Sequence, residues 1–273
     1  MDNTATQFDA GAYLERSFTR KGVGGWRGLY LRFIDELAPA TIVELGAGAP
    51  DFLGQIDARR RIAVDVGTRF AEEFERDGIE FVRRDLDRDS LADIGAVDVA
   101  ICSDVFEHLI EPAVALGHIA DVLRPVGILF SHVPNEYRLG HVLSVMLGRR
   151  QTVLFHGGHG EWEDPHLRRF SDTGYREFLS RRFKHNLRLT DLRYGRPARM
   201  VKSLGIGVPY ALQGGPTYAS ANDDAAFERR CELKKEIARC DFTCPSNPAD
   251  CRLRGPGRRV ANSGRREHQA PRR

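Results

Sequence analysis

The chain of 273 residues is long enough for one large domain with appendages, and its 41% hydrophobic and 29% charged residues are ordinary for a globular protein. A core of that size needs no disulfide framework, and the lack of a run of about 18 apolar residues argues against a transmembrane helix. Residues 1–10 lack the basic start and apolar stretch of a signal peptide, so we expect a cytoplasmic location.

The formal net charge of +3 is unevenly distributed along the chain. Residues 252–273 carry eight arginines and one glutamate, a charge of +7, which leaves −4 for residues 1–251. Because this tail is also rich in glycine and nearly free of apolar residues, it is predicted to be disordered. It is either a solvated end or a weak contact to nucleic acid or anionic membrane, since clustered arginines attract phosphates.

Four of the five cysteines are clustered near the C-terminus. Their spacing, C-x8-C-x3-C-x6-C, contains no C-x2-C pair and matches common zinc ribbons poorly. We therefore expect no metal there, although four thiolates can close a tetrahedral site or ligate an iron–sulfur cluster. The fifth, Cys102, stands in an apolar strand and is interpreted as a core residue. The clustered cysteines are Cys231, Cys240, Cys244 and Cys251.

Apolar residues at helical spacing predict helices over residues 8–38, with a break at Gly22, Gly24 and Gly25 and an end at Pro39. From residue 41 short apolar strands alternate with helices, which is typical of a parallel, doubly wound sheet that binds ligands at the carboxyl ends of its strands. The predicted strands are Thr41–Leu45, Arg61–Val66, Ile79–Arg83, Val97–Ser103 and Gly127–Val133, and the predicted helices cover about 50–59, 69–77 and 112–123.

The pattern is irregular after Pro134. Residues 135–170 are rich in His, Gly and Arg and are interpreted as an inserted lid or substrate region. A helix over about 173–182 follows, with Ser171 or Asp172 as its N-cap, and then a strand at Leu187–Tyr194. Residues 195–215 are expected to be irregular again.

The most informative stretch is the first strand and the turn after it. The strand ends in Glu44-Leu45, and Gly46 and Gly48 follow before Pro50 opens a predicted helix. A tight glycine turn of this kind brings backbone N–H groups and a carboxylate close to a ligand. Seventeen residues after Gly48 comes Asp65, whose carboxylate can accept from both hydroxyls of a ribose.

Four further motifs follow in order along the chain. Asp85-Leu86 follows the third strand, the run from Ser103 to Leu109 follows the fourth, and the turn Leu123-Arg124-Pro125-x-Gly127 precedes the fifth. The last, His166-Leu167-Arg168-Arg169-Phe170-Ser171, precedes a late helix. Taken together, residues 40–180 resemble the class I S-adenosylmethionine-dependent methyltransferases, in particular the small-molecule branch with the ubiquinone-biosynthesis-type enzymes. Each motif alone is weak, but their order and spacing are specific. Pro50 departs from the family, which often has a third glycine there. Proline is well suited to the first helical position, so we expect cofactor binding to be retained.

The resemblance implies a Rossmann-like, mostly parallel seven-stranded sheet with helices on both faces and an antiparallel last strand. It implies S-adenosylmethionine as cofactor, capped by the helices before the first strand, and methyl transfer to a small-molecule, lipid or sugar acceptor, with O-methylation favoured. The cofactor-binding residues implied are Glu44, Gly46, Ala47, Gly48, Asp65, Val66, Asp85, Leu86, Ser103, Asp104 and His108.

Methyl transfer to a hydroxyl often needs a base, and histidine is the usual choice near neutral pH. His132 and His166 are the candidates: the first ends the fifth strand, and the second is placed near the methyl group by the resemblance. A metal held instead by His156, His159 and His166 with Glu161, Glu163 or Asp164 is disfavoured, since their spacing lacks a fixed geometry such as H-x3-H.

Two other classes of function fit the sequence less well. A nicotinamide-dependent dehydrogenase expects G-x-G-x-x-G, but Asp51 stands three residues after Gly48. A nucleic-acid-associated protein or RNA methyltransferase using the basic tail is the alternative, disfavoured by the acidic body. The predicted organisation is residues 1–39 as N-terminal cap helices, 40–230 as the methyltransferase domain with its insertion at about 135–170, 231–251 as a Cys-containing segment and 252–273 as the tail.

Overall fold

The computed structural model describes residues 26–149, 166–192, 196–204 and 208–243. The helix expected before residue 26, most of the predicted insertion, Cys244, Cys251 and the basic tail lie outside these residues. The histidines at 156 and 159 and the acidic residues at 161, 163 and 164 lie outside them as well.

One seven-stranded sheet forms the centre of the described structure, in the order β3-β2-β1-β4-β5-β7-β6. Strand β7 pairs antiparallel with both β5 and β6, and the other pairings are parallel. This confirms the predicted doubly wound sheet with an antiparallel last strand. The strands are β1 (Thr41–Leu45), β2 (Arg60–Asp65), β3 (Glu80–Arg83), β4 (Val97–Ser103), β5 (Leu123–His132), β6 (His185–Arg188) and β7 (Thr217–Ala221).

Helices cover both faces of the sheet, because alternate residues of each buried strand point to opposite sides. On one side Val43, Leu45 and Cys102 join a core with Leu116 and Phe178, and on the other Ile42, Val99, Ile101 and Phe130 join a core with Tyr30 and Phe33. The helices are α1 (Trp26–Leu37), α2 (Ala71–Arg76), α3 (Pro112–Val122), α4 (Leu139–Met146), α5 (Asp172–Leu179), α6 (Arg196–Ser203) and α7 (Asp224–Thr243).

None of the helices in the described part of the chain is both long and apolar enough to span a membrane. The N-cap predicted for α5 is confirmed at Ser171, whose hydroxyl accepts a hydrogen bond from Gly174 N at 3.1 Å. Helix α7 runs without a break through residue 231, where the Cys-containing segment was predicted to begin.

The helix predicted over residues 50–59 is wrong. A single 3-10 turn, Leu53–Gln55, stands there, with Gly54 N donating to Pro50 O at 2.8 Å and Ile56 N to Leu53 O at 3.1 Å. The backbone is extended at Ile56, because its side chain is buried and β2 already begins at Arg60. The crossover from β1 to β2 therefore contains a 3-10 turn in place of the predicted helix.

Three further predictions after β4 need correction. Strand β5 begins at Leu123, and residues between Leu123 and Ile128 form an irregularity opposite Val97 and Val99. Strand β6 ends at Arg188, because the backbone turns into a 3-10 helix at Thr190–Leu192. The stretches expected to be irregular contain helices α4 and α6.

Candidate functional site

The loop after β1 is shaped by two glycines. Gly46 and Gly48 both have a positive φ, +68° and +62°, which other residues adopt only with strain. A Cβ on Gly46 would lie 2.3 Å from the Val105 side chain, so the loop also passes very close to the chain after β4. Gly46 N donates to Val64 O at 2.8 Å, which turns the loop towards the carboxyl end of β2.

Asp65 ends β2 and holds two loops together. One carboxylate oxygen accepts from Gly48 N at 2.9 Å and the other from Gly67 N at 2.8 Å. The side chain is buried, and this burial raises its pKa, against the lowering effect of those backbone hydrogen bonds. A carboxylate has about four acceptor positions, so each oxygen can still accept a ligand hydroxyl.

Glu44 lies under the glycine loop and is almost fully buried. Its Oε1 is 3.8 Å from Arg27 Nη2 on α1, and its Oε2 has no hydrogen-bond partner among the described residues. Burial raises its pKa to about 8, opposed by the charge of Arg27 and reinforced by that of Asp65. A buried acceptor without a partner in this position fits a ligand that brings a hydrogen-bond donor.

The pair Asp85-Leu86 follows β3, and only Asp85 of the two remains partly exposed. Leu86 packs into the core, and Asp85 accepts from Asp87 N at 3.0 Å while remaining partly exposed. Asp87 holds the loop after β4 instead: its carboxylate accepts from Ile110 N at 3.0 Å and Glu111 N at 2.7 Å. The loops after β3 and β4 are therefore fixed to each other beside Asp85.

At the end of β4, Ser103 is buried and Asp104 has a φ of +56°. Asp104 N donates to His132 O at 3.0 Å, and Asp104 Oδ1 is 3.6 Å from His132 Nε2. The ring of His132 stacks on Trp26 of α1, with 5.4 Å between ring centroids. These contacts bring one predicted base and one predicted cofactor residue together at the carboxyl edge.

The tautomer of His132 follows from its other nitrogen. His132 Nδ1 lies 2.9 Å from Thr217 Oγ1, and that hydroxyl donates its proton to Gly215 O at 3.0 Å. Thr217 therefore accepts from His132 Nδ1–H, and Nε2 carries the lone pair in the neutral ring. Thr217 belongs to β7, more than eighty residues away in sequence, and no local motif pointed to it.

The second predicted base, His166, is buried and paired with Glu136, which accepts from its Nδ1. Its ring meets that of His108 edge-on, at 4.6 Å between centroids. Glu136 was missed in the sequence. The available signal was an acidic residue four positions after His132, the end of β5.

Of the four clustered cysteines, two lie among the described residues: Cys231 and Cys240, both in α7. Cys231 is a free thiol. Cys102 is buried in β4, and burial raises its thiol pKa, as expected for a core residue.

Residues 43–131 match the family model described as a methyltransferase domain. No curated protein matches the chain. Among solved structures, N-methyltransferase NodS from Bradyrhizobium japonicum, in complex with S-adenosylhomocysteine, is 15% identical, with 78% of this chain and 98% of that chain covered and a TM-score of 0.49.

Two other solved structures are similar in the same range. A putative methyltransferase of Haloferax volcanii, in complex with the Trm112 activator, is 18% identical over 78% of this chain and 88% of that chain, with a TM-score of 0.42. A methyltransferase from Clostridium acetobutylicum is 11% identical over 73% of this chain and 91% of that chain, with a TM-score of 0.49.

The matched segment runs from β1 to β5 and contains the glycine loop, Asp65 and the end of β4. The buried acceptor on Glu44 and the turn at Gly46 fit a bound nucleoside cofactor there. The match over residues 43–131 supports an S-adenosylmethionine-dependent methyltransferase, in agreement with the class predicted from the sequence motifs.

Proposed function

We propose that this enzyme O-methylates a small molecule with an apolar portion, and that His132 is the general base. The observation that carries this proposal is the position of His132 Nε2, which bears the lone pair and lies 3.6 Å from a carboxylate at the carboxyl edge. The finer resemblance to ubiquinone-biosynthesis-type enzymes stays a prediction.

Cofactor binding is assigned to the loops after β1 to β4. Asp65 would accept from the ribose hydroxyls, since it is an acceptor-only group next to Gly48 N. Glu44 Oε2 would accept from a donor of the cofactor, and α1 would cover the site through Arg27 and Trp26. The remaining proposed cofactor contacts are Gly46, Ala47, Gly48, Val66, Asp85 and Ser103.

Three predicted cofactor residues are given other roles in this proposal. Leu86 contributes its side chain to the core, Asp104 accompanies His132, and His108 accompanies His166.

The cofactor would supply a methyl group on a positively charged sulfur, and the methyl–sulfur bond would break as the acceptor oxygen bonds to the methyl carbon, leaving a neutral thioether. His132 Nε2 would accept the acceptor's O–H proton as the methyl group moves. Asp104 would stabilise the resulting imidazolium, and the stacked indole of Trp26 adds a cation–π attraction. Thr217 keeps the ring oriented through Nδ1 throughout.

The preference for an apolar acceptor rests on α4, the helix that follows β5. Leu139, Leu143, Met146 and Leu147 recur at helical spacing and are exposed, and α4 has no buried residue. An exposed apolar face of this kind fits an apolar ligand. A lipid or an alkylated phenol matches it better than a free sugar.

The test uses S-adenosylmethionine labelled on its methyl group. The purified chain is incubated with hydroxylated acceptors that range from sugars to alkylphenols and hydroxylated lipids, and products are identified by mass spectrometry. We expect an O-methyl product from an apolar acceptor, and His132→Gln should lower kcat by about 10²–10⁴-fold. The matched control is His118→Gln, a half-buried histidine on α3. Equal kcat in the His132 and His118 variants, or an N- or C-methyl product, would contradict the proposal.

A further inference from the structure

Glu107, His108 and His166 form a cluster beside the proposed cofactor site. One potential ligand atom from each lies within 4.8 Å of the other two. Glu107 Oε1 and His108 Nε2 are 3.9 Å apart, and the two histidine rings meet edge-on. Two ligands of one transition-metal ion, at about 2.0–2.2 Å from it, are separated by roughly 3.0–3.6 Å. Small side-chain rotations therefore suffice to place all three atoms around a cation.

The backbone brings the two parts of this cluster together. Glu107 and His108 belong to a 3-10 turn after β4, and His166 lies almost sixty residues later. Arg168 N donates to Glu107 O at 3.1 Å, and the Arg168 guanidinium donates to Ile110 O. Below the turn, Phe106 packs edge-on against Phe178 of α5, at 5.0 Å between centroids. The ligand groups are thus placed by hydrogen bonds and packing that do not depend on a cation.

Glu136 orients one of the histidines. It accepts from His166 Nδ1, and both side chains are only 3% exposed. The other ring nitrogen, Nε2, then carries the lone pair on the opposite side of the ring. A carboxylate that holds a ligating histidine in this way fixes its tautomer and increases its basicity. Arg169 Nε lies 3.7 Å from the second oxygen of Glu136 and balances its charge.

We propose that Glu107, His108 and His166 bind one divalent first-row transition-metal ion, with Glu136 as the carboxylate that orients His166. Two imidazoles and one carboxylate favour Zn²⁺, Mn²⁺, Fe²⁺ or Co²⁺ over Mg²⁺ and Ca²⁺, which prefer oxygen ligands. Three protein ligands leave coordination positions open for water or an acceptor oxygen. If the proposed O-methylation is correct, the ion would orient the acceptor and lower the pKa of its hydroxyl.

Metal binding is tested without cofactor or acceptor, so it does not depend on the proposed reaction. The full chain is stripped with EDTA, dialysed, and titrated by calorimetry with ZnCl₂ and MnCl₂. Titration with CoCl₂ is followed by absorption, because cobalt–thiolate bonds give an intense near-ultraviolet band that imidazole and carboxylate ligands do not. We expect one tightly bound equivalent without that band, which separates this site from the cysteines near the C-terminus.

Variants assign the site. Glu136→Gln should weaken binding by about 10–100-fold, as loss of an orienting partner does, and Glu107→Gln and His166→Ala by at least that factor. His118→Ala on α3 is the control and should bind like the parent chain. Circular dichroism in EDTA shows whether each variant folds. If His166→Ala does not fold, the near-isosteric variants Glu107→Gln and Glu136→Gln provide the test of metal binding. Absence of stoichiometric binding, a thiolate band, or undiminished binding in Glu107→Gln would overturn this inference. S-adenosylmethionine binding in EDTA is measured separately, and its loss would count against the proposed function instead.

Discussion

A glycine can be required in this fold because its φ is positive or because a Cβ would clash with a neighbour, and four glycines differ in which of these constraints apply. Gly46 has both a left-handed φ of +68° and a neighbour, Val105, 2.3 Å from its added Cβ. Gly95 has only the left-handed φ, +76°, with nothing within 4 Å. Gly215 has an ordinary φ, but a Cβ would lie 2.1 Å from Val133 O and 2.6 Å from the His132 ring. Gly54 has neither constraint.

The expected losses of stability on substitution by alanine follow from these contacts. Gly95→Ala should cost about 1–3 kcal/mol for the backbone alone, because its φ of +76° and ψ of −177° lie in a region nearly restricted to glycine. Gly46→Ala combines strain at a positive φ, about 1–2 kcal/mol, with overpacking against Val105, about 1–3 kcal/mol, for a sum of roughly 2–5 kcal/mol. Gly215→Ala should cost at least as much as Gly46→Ala, because a backbone carbonyl cannot rotate away. Gly54→Ala should be neutral or stabilise by about 0.4–1 kcal/mol through the unfolded chain.

The free energy of unfolding in urea is measured for each variant, together with the double variant Gly46→Ala/Val105→Ala. Removing the Val105 methyl groups should abolish the overpacking part of the cost of Gly46→Ala and leave only the backbone part, about 1–2 kcal/mol. The reasoning is refuted if Gly46→Ala is as stable as Gly54→Ala, or if the cost of Gly46→Ala is the same with and without Val105.

Two further predictions concern charge and capping. The pKa of Glu44 in the folded state, about 8, lies above its ordinary value of 4.5, so the folded state binds more protons than the unfolded state between these pH values. The stability that Glu44 contributes is therefore present at low pH and is lost as pH rises from about 4.5 to 8. Glu44→Gln should flatten this decline by up to about 1.4 kcal/mol per pH unit, and parallel pH profiles of unfolding would contradict it. Ser171→Ala should lower the free energy of unfolding by about 1 kcal/mol through loss of the N-cap of α5. Ser180→Ala, after the last turn of that helix, should lower it by less. Equal losses in the two variants would argue against the cap.

The sheet was predictable because its strands are short, apolar and separated by turn residues. Strands β1 and β4 were predicted with their observed bounds, since each is buried along almost its entire length and flanked by polar or glycine-rich segments. The antiparallel β7 was not visible in the residues themselves and came only from the family resemblance.

The errors have a common physical cause. Pro50 looked like a helix start, but the chain forms only the 3-10 turn Leu53–Gln55 and is extended at Ile56. The partners that define the candidate base and the proposed metal site, Thr217 and Glu136, contact histidines 85 and 30 residues away. Contacts over such distances depend on which strands become neighbours, and periodicity along the chain does not contain that information.

The central claim is that the loops at the carboxyl ends of β1 and β2 bind the cofactor through Asp65. Calorimetric titration with S-adenosylmethionine tests it in the parent chain, Asp65→Asn and Asp98→Asn. Asp98 is the matched control, a carboxylate that also accepts a backbone N–H, from Thr41 at 2.8 Å, but at the amino end of β1. We predict that Asp65→Asn weakens binding at least tenfold while Asp98→Asn binds like the parent. Equal affinity in all three proteins would contradict the account.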